Sequence, residues 1–374
     1  VILRQPNTFN AGGVAPLRSI VGAAVGLALA AWAWQAGQPM PASAKLPASL
    51  NADAAKAARA ALRIQPLNGP ALRDLAIATD EDLTDGGRLI ALAGQVTRRD
   101  PATQLILLET STGTGDIRAA LAHYDALLST YPVLQAKLLE TLSGALAEPE
   151  IAQEALRYAD RPWFLSLLET TAGNPGGAEI ALSLTQKANI LRSPQNQDRL
   201  APRLIQTLAQ AGRYDEARAI ANAVGQAGWE KLGFSAASTD TRLGNFAWQL
   251  AATPSVRAEW REPSTFAVSL EPGRRVQVAY RTTSLGPGAY RLSFAIEAPS
   301  PPGAAIQWLV NCSDAAAREI GSYSFPVPPS RTVVDRMLTI PGSCPQQNWA
   351  LVAEALDAQI PSQTLISQLD LVRQ

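Results

Sequence analysis

The chain has 374 residues, and its 32 lysines and arginines balance 32 aspartates and glutamates, so the formal net charge is zero. This balance argues against nucleic-acid binding and against a polybasic surface for anionic membranes. Beyond an apolar segment near the start, about 340 residues remain, enough for two domains with separate cores.

The apolar segment near the start is the uncharged run IVGAAVGLALAAWAW, which begins at Ile20 and follows Arg18. The hydrocarbon core of a bilayer needs about 20 apolar residues, a length reached over 17–36 if Arg18 extends toward the headgroups. Trp32 and Trp34 would then lie at the far interface, where aromatic residues are enriched. The run therefore predicts a membrane-spanning helix.

Charges around this run set its expected orientation. Arg4 and Arg18 precede it and no acidic residue does, so the positive-inside rule places the N-terminus in the cytoplasm. We predict a cytoplasmic tail over 1–17, a transmembrane anchor over 18–36 and a linker over 37–50. The remainder of the chain would lie on the other side of the membrane.

Two further features of this segment bear on its role. Gly22 and Gly26 form a pair of small residues four apart, which would let another helix approach closely. Alternatively, the run is the apolar core of a cleaved signal peptide with Ala42-Ser43-Ala44 as the cleavage site. Both interpretations export the rest of the chain.

From about Asn51 to Gly228 apolar residues recur every three or four positions, which predicts helices interrupted at Gly and Pro. Two stretches share a spacing of small and apolar residues that ends at a proline: Ala54, Ala58, Ala61, Leu62 and Pro66, and Ala120, Tyr124, Leu127, Leu128 and Pro132. Pro101 lies roughly halfway between the two prolines, which gives intervals near the 34-residue period of tetratricopeptide repeats.

A second repeated feature is a glycine with an alanine five residues later, at the turn that enters the second helix of a repeat. It occurs at Gly115 and Ala120 and again at Gly212 and Ala217. The region resembles tetratricopeptide-like arrays, and we predict a domain of stacked antiparallel helical hairpins, an α-solenoid, over 51–232. The resemblance implies a concave surface that binds protein partners.

From about Phe234 onward the hydrophobic period becomes two, which predicts antiparallel strands with one buried face. The alternating apolar positions are Tyr290, Leu292, Phe294 and Ile296, and then Ile306, Trp308, Val310 and Cys312. The run GPGAYRLSF from Gly286 resembles a turn into a central strand of the jelly-roll sandwiches used as carbohydrate-binding modules. Phe246-Ala247-Trp248 and Leu369-Asp370-Leu371 fit the same pattern, so we predict a β-sandwich domain over 233–374.

The two cysteines, Cys312 and Cys344, both lie at or just after strand-like runs. In an exported domain such a pair most often forms one structural disulfide, with two buried free thiols as the alternative. We expect no metal site, because the only histidine, His123, is too distant in sequence to complete zinc's usual four ligands.

The sequence contains no evident catalytic constellation. His123 lies beside Tyr124 in a predicted repeat helix, and the region has no nucleophile elbow and no glycine-rich phosphate loop. We therefore expect neither catalytic residues nor a cofactor. Acidic pairs such as Glu148 and Glu150 fall at predicted helix starts, although glycoside hydrolysis needs only two carboxylates and stays an alternative.

Aromatic residues of the predicted sandwich are candidates for stacking against a sugar. They are Trp248, Trp260, Trp308, Trp349, Tyr280 and Tyr323. Alternation with apolar neighbours assigns Trp248, Trp308 and Trp349 to the core. Charged residues flank Trp260 on both sides, which makes it the best exposed candidate for a ligand platform, with packing at the rim of the core as the alternative.

The order of anchor, helical repeats and sandwich resembles bacterial envelope proteins associated with exopolysaccharide production. This resemblance implies a non-catalytic scaffold in the bacterial inner membrane, with most of the chain in the periplasm. Protein partners would bind the helical domain and polysaccharide the sandwich, with no nucleic acid involved. The alternatives are a single-pass accessory subunit of another membrane complex and a carbohydrate-active enzyme.

Overall fold

The computed structural model describes residues 48–79, 83–261, 264–298, 304–313, 317–357 and 359–374. The predicted anchor lies outside these ranges, together with its residues Arg18, Gly22, Gly26, Trp32 and Trp34. Within the described ranges, no helix has both the length and the apolar character needed to cross a bilayer. The chain divides into two compact units, one extending to Ile180 and the other comprising Ala181–Gln374.

Helices occupy the described chain up to Val224. They are α1 (Ala48–Ile64), α2 (Gly69–Ala78), α3 (Leu83–Val96), α4 (Pro101–Thr114), α5 (Ile117–Thr130), α6 (Pro132–Ala145), α7 (Pro149–Ala155), α8 (Pro162–Gly173), α9 (Gly177–Lys187), α10 (Pro194–Gln210) and α11 (Tyr214–Val224). Short 3₁₀ turns lie at Leu156–Tyr158, Ile190–Arg192, Ala237–Thr239 and Thr241–Phe246. The helical prediction for this part of the chain is confirmed.

Polar caps and prolines set where these helices begin. The side chains of Asn68, Asp100 and Asp116 each accept a hydrogen bond of 3.0–3.1 Å from a backbone N–H in the first turn of α2, α4 and α5. Pro101 and Pro132 are the first residues of α4 and α6, where a missing N–H costs no intrahelical bond. Pro101 and Pro132 therefore start the helices that follow them, whereas Pro66 lies in the turn between α1 and α2.

The hairpin of α4 and α5 shows how the repeat pattern folds. Gly115 ends α4 in the left-handed region, with φ of 75°, and turns the chain into α5. On α5, Ala120, Tyr124 and Leu128 are buried, as the spacing predicts. Gly212, also with φ of 75°, makes the same turn between α10 and α11. The repeated glycine step is therefore a real structural element in both places.

We expect Ala120→Leu to lower the free energy of unfolding by about 1–3 kcal/mol, because the larger side chain overpacks the contact between α4 and α5. Ala122→Leu is the matched control, since Ala122 is exposed on the same helix. Chemical denaturation of the two variants measures the difference. Equal stability of both variants would contradict close packing at Ala120.

The C-terminal part forms two antiparallel sheets. The strands are β1 (Gln249–Leu250), β2 (Ala252–Thr253), β3 (Val256–Arg261), β4 (Thr265–Leu270), β5 (Arg275–Thr283), β6 (Gly288–Glu297), β7 (Ala304–Cys312), β8 (Glu319–Pro326), β9 (Thr332–Ile340), β10 (Gln347–Ala355) and β11 (Ser362–Arg373). A five-stranded sheet has the order β1-β5-β10-β7-β8, and a six-stranded sheet has the order β2-β3-β4-β11-β6-β9. From β4 to β11 the chain passes back and forth between the two sheets, with β7 and β8 as a hairpin within the five-stranded sheet, and this is a jelly-roll arrangement.

The two sheets enclose one apolar core. The alternating positions predicted on β6 and β7 are all buried, and so are Trp248, Trp308 and Trp349. The Trp308 ring lies in an edge-on arrangement 6.0 Å from the Phe294 ring of the opposite sheet and 6.3 Å from the Trp349 ring. The antiparallel sandwich prediction is therefore confirmed.

The GPGAYRLSF run forms the turn into β6. The Tyr290 hydroxyl donates a 2.8 Å hydrogen bond back to the Gly286 carbonyl, which ties the strand to its own turn. Gly288 has a φ of 149°, and a Cβ there would lie 3.2 Å from Nε of Arg373. Arg373 in turn donates to the Pro287 carbonyl at 2.8 Å. The positive φ therefore favours glycine at this position.

Cys312 and Cys344 form a disulfide, with their Cα atoms 5.4 Å apart. Cys312 ends β7, and Cys344 lies in the turn that enters β10. We expect reduction to lower the free energy of unfolding by about 3 kcal/mol, because the open form regains unfolded-state entropy. Thermal unfolding with and without reductant measures this, and a Cys312→Ala/Cys344→Ala variant should not respond to reductant. A native protein equally indifferent to reductant would contradict the expectation.

One arginine lies in the interior of the second unit. Arg281 on β5 is only 1 % exposed, and burial lowers its pKa to about 10, opposed by the nearby Glu230. Its guanidinium donates to the carbonyl of Phe246 at 2.7 Å, to that of Lys231 at 2.5 Å and to that of Trp229. The arginine thus remains charged at neutral pH and binds the segment that leads from α11 into the sandwich.

Candidate ligand-binding face

The outward side of the five-stranded sheet carries mostly polar side chains. Trp349 and Leu351 point into the core, so Asn348, Ala350 and Val352 point outward from the same strand. We call the outward residues of β5, β7, β8 and β10 the amide face. They are Arg275, Gln277, Tyr280, Thr282, Ala305, Gln307, Leu309, Asn311, Glu319, Ser322, Ser324, Asn348, Ala350, Val352 and Glu354.

Strand register gives this face the form of a shallow trough. The small side chain of Ala350 on the central strand β10 makes its floor, and it lies opposite Tyr280 on one side and Leu309 on the other. Neighbouring strands lie about 4.8 Å apart, so these two larger side chains stand roughly 10 Å apart. The Tyr280 ring, at 43 % exposure, is a large aromatic surface beside an apolar floor.

One end of the trough carries amides and a hydroxyl. Asn348 lies opposite Asn311 on β7, and its Oδ1 atom accepts a 3.0 Å hydrogen bond from the Thr282 hydroxyl on β5. The amide nitrogens of both asparagines are donors that no described protein bond engages, and both side chains reach solvent. This end therefore presents donors and acceptors from neighbouring strands to a ligand.

A chain of hydrogen bonds crosses the other end. Arg275 donates to Oε1 of Gln307 at 2.6 Å, and Nε2 of Gln307 donates to the Ser322 hydroxyl at 2.8 Å. The Arg275 Nε atom also lies 3.9 Å from a carboxylate oxygen of Glu354. These contacts fix the orientation of the Gln307 amide. The Ser322 hydroxyl accepts one of them and can donate its own hydrogen to a ligand.

The chemistry of the face suits a ligand with both C–H surfaces and hydroxyl groups. An aromatic ring and apolar floor pack against C–H groups, while amides and hydroxyls both donate and accept hydrogen bonds. Within the described ranges, no group of three His, Cys, Asp or Glu side chains could hold a metal ion. The side chains of the face themselves offer apolar contact and hydrogen bonds.

Trp260, the platform predicted from sequence, lies on β3 of the six-stranded sheet. Its ring is half-buried and packs edge-on against Phe234 at 5.7 Å, at the margin of the core. The Tyr323 hydroxyl donates to the Met337 carbonyl at 2.8 Å. Of the six aromatic candidates, Tyr280 is the most exposed residue.

A β-bulge accounts for the position of Tyr280. Leu351 pairs with Ala279 and Val352 with Gln277, so Val278 is an extra residue on β5. Strict alternation from Val276 and Val278 would turn Tyr280 inward and Arg281 outward. Because of the bulge, Tyr280 points outward and Arg281 points inward. No residue type in the sequence indicates that a bulge occurs here.

His123 has a packing role in α5. Its Nδ1 lies 2.8 Å from Oε1 of the buried Gln104, and burial lowers its pKa, opposed by the Asp116 charge. Glu148 and Glu150 are exposed at the start of α7.

No family model matches the chain, and no curated protein matches it. Solved structures that resemble it include a family 61 carbohydrate-binding module in complex with β-1,4-galactotriose, at 16 % identity, with a TM-score of 0.26, covering 34 % of this chain and 88 % of that one. Another is the N-terminal cellulose-binding domain of β-1,4-glucanase C from Cellulomonas fimi, at 14 % identity, with a TM-score of 0.26, covering 35 % and 91 %. A family 16 carbohydrate-binding module is 18 % identical, with a TM-score of 0.25, covering 32 % and 86 %. Each of these likenesses covers about a third of this chain, at a TM-score of 0.25 or 0.26.

Proposed function

We propose that the second unit binds a polysaccharide on the amide face. The observation that carries this proposal is the exposed Tyr280 ring beside the apolar floor at Ala350, with hydrogen-bonding side chains on either side. A sugar ring has apolar C–H groups on its faces and hydroxyls around its rim. The trough matches both parts of that chemistry.

The trough also suits the interior of a polymer. Its hydrogen-bonding groups are contributed by four adjacent strands, β5, β10, β7 and β8. Such a row of groups suits an extended chain of sugars that lies across the strands.

For the whole chain, we propose a non-catalytic scaffold in bacterial exopolysaccharide assembly or export. The N-terminal run would anchor it in the inner membrane, and the helical hairpins would hold a protein partner in the periplasm. The Cys312–Cys344 disulfide supports an oxidising compartment. Purification in mild detergent, followed by identification of co-purifying proteins, tests the partner, and a different membrane complex would support the accessory-subunit alternative.

We expect Tyr280→Ala to weaken polysaccharide binding by about 10-fold or more, equivalent to about 1.4 kcal/mol, because it removes the aromatic surface of the trough. Affinity electrophoresis against a panel of soluble polysaccharides, followed by calorimetry, measures the change. Met337→Ala is the matched control, because Met337 is 56 % exposed on the outward side of the other sheet.

The Trp260→Ala variant distinguishes binding at the amide face from binding at Trp260, the ligand platform predicted from the sequence. Both variants and the control are first compared with the native protein by thermal unfolding. Binding lost in a folded Trp260→Ala protein and kept in Tyr280→Ala would move the site to β3. Equal affinity of the Tyr280→Ala, Met337→Ala and native proteins would remove the amide face as the binding site.

A further inference from the structure

The formal charges on the amide face nearly cancel. Its only charged members are Arg275, Glu354 and Glu319. Arg275 and Glu354 face one another, with the guanidinium Nε 3.9 Å from the carboxylate. All other outward side chains of the face are amides, hydroxyls, apolar groups or the Tyr280 phenol. The face therefore has one cation against two carboxylates.

Such a surface offers a polyanionic ligand few positive groups for ion pairs. Binding a carboxylate or sulfate out of water requires a positive partner, most effectively a guanidinium whose donors are available as a pair. Arg275 already donates to Gln307 and is offset by Glu354. Glu319, exposed at the start of β8, would repel a second anionic group.

Uncharged sugars bind without removing an unpaired anionic group from water. Each hydroxyl both donates and accepts a hydrogen bond, which matches the asparagine, glutamine and serine side chains of the face. Resting on the proposed function, we infer that the ligand is an uncharged polysaccharide and that the amide face selects against uronate-bearing or sulfated chains.

The test compares neutral and anionic polymers of related backbone on the full chain: hydroxyethylcellulose with carboxymethylcellulose, fully methyl-esterified polygalacturonate with polygalacturonate, and dextran with dextran sulfate. Titrations are run at low and high salt on the native protein and on Tyr280→Ala. We expect a neutral polymer to bind with an affinity that changes less than about twofold with salt, since no ion pair is formed. Its anionic counterpart should bind at least about 10-fold more weakly.

The other outcomes separate the two proposals. An anionic polymer that binds as tightly as its neutral counterpart or more so, in a manner lost in Tyr280→Ala, would overturn the charge selection and keep the amide face as a polysaccharide site. If no polymer of the panel binds, or if Tyr280→Ala binds every polymer as the native protein does, the proposed function fails and the charge selection with it.

Discussion

Arg281→Met is expected to lower the free energy of unfolding by about 3–5 kcal/mol, because it leaves carbonyl groups of the second unit without their hydrogen-bond donor. The guanidinium donates to the carbonyls of Trp229, Lys231 and Phe246, and the bonds to Trp229 and Phe246 are buried. Methionine fills a similar volume but donates no hydrogen bond. The loss therefore arises from unsatisfied backbone groups and not from a cavity.

Arg275→Met on the same strand is the control for this experiment. It makes the same change of charge at an exposed position, and surface substitutions of this kind usually change stability by about 0.5 kcal/mol or less. Denaturant unfolding of both variants gives the comparison. Equal losses would mean that the buried bonds of Arg281 contribute no more than an exposed arginine does.

The free energy of unfolding of a fragment of residues 233–374 is expected to be about 5 kcal/mol or more below that of a fragment of residues 181–374. That difference is comparable to the whole stability of a domain. The shorter fragment begins at the boundary predicted from sequence. It lacks Trp229, whose ring packs 5.5 Å from that of Phe246, and Leu232, a member of the sandwich core.

The shorter fragment also loses hydrogen-bond acceptors. The Leu232 carbonyl accepts a 3.0 Å bond from Nε1 of the buried Trp248, and two of the three Arg281 acceptors precede residue 233. Circular dichroism and thermal unfolding of both fragments give the measurement. A shorter fragment that unfolds cooperatively at the same temperature as the longer one would show that the sandwich is complete without the preceding segment.

Regular periodicity explains which parts of the fold the sequence predicts well. On β7, Ile306, Trp308 and Val310 follow strict alternation, and the paired strands preserve it. On α5, Ala120 and Tyr124 follow the helical period and lie on the buried side. In these elements one local rule determines the environment of each side chain.

The candidate site was harder to predict because it depends on a departure from that rule. The bulge at Val278 places Tyr280 outside and Arg281 inside, which depends on how β5 pairs with β10. For Trp260, the charged neighbours suggest exposure. Those neighbours, Glu259 and Arg261, occupy the opposite side of β3 and pair with one another, while the indole shares its side with the core.

The disulfide has a consequence for strand alignment. Cys312 lies opposite Gln347 in the ladder of β7 and β10, and the next pair is Asn311 with Asn348. If β10 slipped by a single residue, Trp349 would turn outward and Asn348 would enter the apolar interior. The disulfide joins the end of β7 to the turn into β10, so it opposes that slip where β10 begins. Oxidation of the two thiols thus favours the register in which the two asparagines lie on the same side of the sheet.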